Sequence, residues 1–173
     1  MKISELPIAT KKWLEESGFD LSKELTESQD FSFDGNTSVK FGFSASDDFS
    51  DGTPLECALD SGKTNHAITL IENGALNNSD IQKHPNWLFR SIYRSKINKI
   101  PLLQAIFNNS QLHLTDELME EAREKLGGSL LEWVTHTVFG ASYSPIQIEN
   151  AKTLELLEKQ FLQQKSSAPA NRI

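Results

Sequence analysis

The chain has 173 residues, enough for one ordinary domain and too few to favour two. Its 17 basic against 24 acidic side chains leave a net charge of −7, which opposes non-specific attraction to nucleic-acid phosphates or anionic lipid and disfavours a general polyanion binder. With 38% hydrophobic and 24% charged residues, apolar material suffices for a core and charge is too sparse for wholesale disorder, so a folded, soluble chain is expected.

From the N-terminus, Lys11, Lys12, Glu15 and Glu16 interrupt the chain before a signal-peptide core can form, and no later stretch approaches the roughly 20 apolar residues of a bilayer span. Cys57 is the only cysteine, so neither an internal disulfide nor a thiolate metal cluster is expected, and a reducing cytoplasm is the expected compartment. Trp13 to Asp20 reads as the closing helix of a helix pair, with Gly18 as its stop, and residues 1–27 read as N-terminal capping helices. The pattern then changes. Phe31, Phe33, Val39, Phe41 and Phe43 alternate around Asp34-Gly35-Asn36, predicting an inserted β-hairpin or long ordered loop near 28–51.

Residues 52–75 read as two short helices. Thr53 caps the first, Pro54 takes the first helical position where a missing N–H costs nothing, and Glu56 completes a capping box. Leu55, Ala58 and Leu59 form its apolar stripe, and Gly62 ends it. Ala67, Ile68, Leu70 and Ile71 face them from the second helix, which Gly74 stops.

Thr53, Pro54, Leu55, Gly62, Leu70, Gly74, Ala75 and Asn78 fall in the order of an ankyrin repeat, and at these residues the segment resembles that family. Glu56 stands where the family has His, and Gly52 adjoins Thr53 without the usual intervening residue. A lone repeat cannot bury its apolar face, so the resemblance implies neighbours on a period of about 33 residues. One period on, Asn86 is a cap followed by Trp87, Leu88, Ser91 and Ile92, with Ser95 in the place of Gly62. A second helix then uses Ile100, Leu102, Leu103, Ile106 and Phe107, provided that Pro101 lies in its first turn. Thr115 caps a helix over Asp116 to Leu126, Gly127-Gly128 break it, and Ser129 to Glu132 open another running to Phe139. Gly140-Ala141 repeats Gly74-Ala75 two periods on. Ser144-Pro145-Ile146-Gln147 opens a last helix carrying Ile148, Ala151, Leu154, Leu157 and Phe161.

Few residue groups match a reactive motif. Gly62-Lys63-Thr64 lacks the first glycine of a phosphate-binding loop, because Cys57 stands there. Gly42 to Ser46 lacks the closing glycine of a nucleophile elbow. Asp47, Asp48 and Asp51 read as a solvated acidic loop, since Phe49 occupies a position where an EF-hand needs a ligand. His66, His84, His113 and His136 show no metal-ligand spacing and read as surface or helix-end residues. Cys57 reads as buried and inert, and Glu117, Glu120, Glu121 and Glu124 as an exposed helical face. Arg90, Arg94, Lys96 and Lys99, interleaved with Trp87, Phe89 and Tyr93, read either as a patch for an acidic peptide or as a solvated helix whose aromatics face the core.

The expected fold is therefore mainly α: an ankyrin-like solenoid of stacked helix pairs with an insert near 28–51. Residues 1–165 form one domain, with about three helix pairs over 52–143, a capping helix over 144–165 and a flexible tail over 166–173. The resemblance implies a non-catalytic protein–protein interaction module that binds another protein through its turns and concave first-helix face. The partner-binding candidates are Asp51, Asp60, Ser61, Asn73, Arg90, Tyr93 and Arg94, and neither metal nor cofactor, specific nucleic acid nor membrane insertion is expected. Short ankyrin proteins of this kind also include bacterial effectors, which act in the cytoplasm of a host cell, and bacterial immunity proteins that neutralise toxins. The alternative is a small hydrolase-like enzyme with its site in the 28–51 insert, motivated by that segment's length and by Ser44, Ser46, Asp47 and Asp48.

Overall fold

The computed structural model describes residues 1–30, 51–76, 88–89, 92–93, 95, 98–127 and 144–167. The chain divides into two compact units, Met1–Asn77 and Asn78–Ile173.

In the first unit, Pro7 sits at the N-cap of α1 (Ile8–Glu16), which follows a 3-10 turn at Ile3–Glu5. The segment before α1 is clipped to the one after it: Ile3 N–H donates to the Lys23 carbonyl at 3.0 Å, Ser4 N–H to Leu21 at 2.9 Å, and Leu25 N–H to Met1 at 3.1 Å. These bonds satisfy backbone groups that enter the core with Ile3, Leu6, Leu14, Phe19 and Leu25, all of which are buried. Strand β1 (Gln29–Asp30) pairs antiparallel with β2 (Asp51–Gly52), Gln29 opposite Gly52 and Asp30 opposite Asp51. The turn expected at Asp34-Gly35-Asn36 lies outside the described residues.

Helices α2 (Pro54–Asp60) and α3 (Thr64–Glu72) pack on each other as a helical hairpin. The local chemistry is as the sequence predicts. Thr53 Oγ1 accepts from Glu56 N–H at 3.3 Å, while the Glu56 carboxylate accepts from Thr53 N–H at 2.7 Å. Gly62 and Gly74 hold φ of 67° and 86°, in the left-handed region that L side chains avoid. Each permits an amide beyond it to reach back five residues, Lys63 to Ala58 at 2.8 Å and Ala75 to Leu70 at 2.9 Å. Helix α1 ends the same way, with Gly18 at φ 88° and Phe19 N–H on the Leu14 carbonyl at 3.0 Å. Ala58, Ala67, Leu70 and Ile71 are fully buried and Leu55 and Leu59 nearly so, at about 1.5–3 kcal/mol for each of the larger side chains.

The second unit contains α4 (Lys99–Asn109), α5 (Asp116–Leu126) and α6 (Pro145–Ser167). Asn98 precedes α4 in a left-handed conformation, φ 61°, and Pro101 falls in the first turn, where its missing N–H does no harm. Thr115 Oγ1 caps α5 by accepting from Leu118 N–H at 3.3 Å. Ser144 and Gln147 close a capping box on α6, which runs to Ser167, two residues past its expected end. Helix α6 lies against both α4 and α5, burying Thr153, Leu157 and Phe161. Farther along it, Gln164 accepts from Leu114 N–H at 2.9 Å and donates to the Leu112 carbonyl at 2.8 Å, tying α6 to the segment that leads into α5. Leu88, Phe89, Ile92, Leu102, Leu103 and Ile106 are buried here. The cap expected at Asn86 and the helix expected over Ser129 to Phe139 lie outside the described residues. The expectation of a mainly α chain holds among the described residues.

Candidate functional site

Helix α2 is apolar nearly all round. Pro54, Leu55, Cys57, Ala58 and Leu59 are buried, leaving Glu56 half-buried and Asp60 exposed one turn later on the same side. On this helix, for which the sequence leads to the expectation of a concave binding face, the polar side chains thus form a narrow acidic edge. Ser61 continues it past the helix end, but its hydroxyl donates to the Cys57 carbonyl at 2.6 Å.

Asn73 stands at the other end of the hairpin, across the length of α3, and its amide donates to the Thr69 carbonyl at 2.7 Å. Asp51 is in β2, ahead of α2. The hairpin's antiparallel course therefore separates Asp51 and Asn73 from Asp60 and Ser61 by the rise of α3, roughly 13 Å, so these four do not form one cluster. Arg90 and Arg94 lie outside the described residues. Tyr93 belongs to the second unit and is half-buried, 6.0 Å from the Phe89 ring, with its hydroxyl buried and without a hydrogen-bond partner among the described residues. Burial, with Glu121 adding to it, raises that phenol well above its ordinary range.

Lys99 departs from the solvated basic cluster in which the sequence places it. It is only 2% exposed, its ammonium donates to the Tyr93 carbonyl at 3.3 Å, and its backbone N–H donates to the Glu149 carboxylate at 2.7 Å. Burial pushes its pKa down while Glu149 pushes it back up. Between the starts of α4 and α6 lies an open groove of about 350 Å³, lined by Asn98, Ile100, Pro101, Pro145, Ile148, Glu149 and Lys152.

Two groups with chemical reach in the first unit are both taken up by packing. Cys57 is 2% exposed, and burial, followed by the Asp60 charge, pushes its thiol to about 12, far from a reactive thiolate. His66 lies flat against Trp13, ring centroids 4.8 Å apart and planes within 4°, and its Nδ1 shares a hydrogen bond of 3.0 Å with Thr10 Oγ1. Burial, and secondarily Lys63, lowers its pKa. Sequence reasoning left His66 as a surface or helix-end residue. The signal that finds it is the constant offset of 56 residues relating Thr10, Leu14 and Gly18 to His66, Leu70 and Gly74.

Among the described residues, no three His, Cys, Asp or Glu side chains gather as a metal set, and no helix is long and apolar enough to cross a membrane. No protein-family model matches the chain, and neither a curated protein nor a solved structure matches it.

Proposed function

We propose that this chain is a non-catalytic protein-interaction module built from ankyrin-like helix pairs, and that the edge carrying Glu56 and Asp60 receives a basic segment of a partner protein. The observation that carries this reading is the α2/α3 hairpin together with α1. Both α1 and α3 end on a left-handed glycine with the same backbone bond, and positions 56 residues apart on them, Thr10 and His66, touch. Equivalent helices meeting at equivalent positions suits a tandem stack; the offset of 56 exceeds a period of about 33 residues, and most of the excess in chain length lies between β1 and β2. The net charge of −7 favours a cationic partner over an acidic one. A preformed helical edge also keeps the ordering cost of binding low.

The test is crosslinking with mass spectrometry in the native cell to identify the partner, followed by binding of purified chains. Asp60→Lys is expected to weaken binding about tenfold, or about 1.4 kcal/mol, with an unchanged circular dichroism spectrum. Binding that is indifferent both to Asp60→Lys and to salt would remove the proposal.

A further inference from the structure

We propose that the contact among Thr10, His66 and Trp13 is an acid-released clasp: proton uptake by His66 loosens α1 from the α2/α3 hairpin and uncovers the flank of α3, whatever the module binds. Three features of the contact carry this. Thr10 is 2% exposed, and among the described residues its hydroxyl has His66 as its only hydrogen-bond partner. The proposal takes the ring in its Nε2–H tautomer, in which Nδ1 accepts the Thr10 proton; an imidazolium donates there instead, so the buried hydroxyl must turn round and its own proton loses this acceptor. The second feature is the flat stack on Trp13, which covers one face of the ring and removes water that would solvate a charge.

The third is the electrostatic setting. From α1 the ring meets Thr10 and Trp13, both uncharged, and from its own helix it feels the ammonium of Lys63 at the N-cap; among the described residues no carboxylate acts on it. Burial and Lys63 thus act in the same direction, against the charged ring. The attraction of an imidazolium for the indole face opposes them. With a folded-state pKa below the ordinary 6.5, the contribution of His66 to docking is complete above 6.5 and is lost as pH falls through the folded value.

The experiment uses the full chain and two readouts: the NMR titration midpoint of the His66 imidazole, and amide hydrogen exchange across α1 at about pH 7.5 and about pH 5, corrected for intrinsic exchange. The midpoint is expected below 6.5, with protection in α1 falling by up to about tenfold for each unit of depression. Lys63→Gln, at an exposed position, should raise the midpoint and shrink the loss. His66→Gln should hold α1 equally at both pH values. A midpoint at or above 6.5 would mean that the indole attraction prevails and would overturn the proposal, as would an identical acid loss in His66→Gln. Should His66→Gln fail to fold, the wild-type titration and the direction of the Lys63→Gln shift decide the matter.

Discussion

Cys57 shows how far packing can silence a reactive group. Its neighbours in α2, Leu55, Ala58 and Leu59, are buried with it, and the thiol is pushed to about 12 by burial and by Asp60. At about pH 8 the native chain should resist a thiol-exchange reagent and label fully once denatured, because the thiolate fraction is negligible. Rapid native labelling would show an open thiol instead. Gly74 is a second single-residue case. Nothing lies within 4 Å of the position a Cβ would take, so the cost of Gly74→Ala comes from φ of 86° rather than from a clash. Thermal or urea unfolding is expected to show a loss of about 1–2 kcal/mol. At this scale the sequence was legible wherever one residue type answers one backbone demand, as at Gly62 and Gly74. It was not legible for His66 or Lys99, whose surroundings are assembled from distant segments.

Caps decide where the helices begin. Thr53 and Thr115 each accept an N-terminal amide of the helix they precede, from Glu56 and Leu118. Thr53→Ala and Thr115→Ala should each lower stability by about 1 kcal/mol in denaturant titrations, and Ser at either position should restore most of it. A change within a few tenths of zero would mean that solvent serves those amides equally well. The starts of α2, α5 and α6 could be read directly because Thr53, Thr115 and Ser144 carry cap chemistry in the sequence itself. The 3-10 turn at Ile3–Glu5 and the two-residue ladder of β1 and β2 left no such mark. The turn rests on local bonds, Glu5 N–H to the Lys2 carbonyl and Lys2 N–H to the Glu5 carboxylate, without a Ser, Thr, Asp or Asn at the cap to announce it, while the ladder joins backbone to backbone across many residues.

For the molecule as a whole, stability rests on the apolar side chains that each unit buries among its described residues. In the second, α6 contributes Leu157 at 0% exposure and Phe161 at 8%, the latter beneath the Lys165 ammonium at 4.3 Å. Phe161→Ala is expected to cost about 3–5 kcal/mol in urea unfolding and to lower hydrogen-exchange protection throughout α4, α5 and α6. Protection unchanged in α4 and α5 would show that α6 is not part of their core. The mainly helical character follows from apolar periodicity and is legible in the sequence. The meeting of α1 with α3 is a product of chain course, and only the offset between two glycine-terminated helices hints at it.

The ladder of β1 with β2 has a practical consequence. Asp30 and Asp51 are partners across an antiparallel pair, so their backbones stand about 5 Å apart however long the chain between them. A two-residue Asn-Gly link can bridge that gap. A chain in which such a link joins Asp30 to Asp51 therefore measures how much of the first unit's stability its helices hold by themselves: urea unfolding equal to that of the full chain would assign all of it to them.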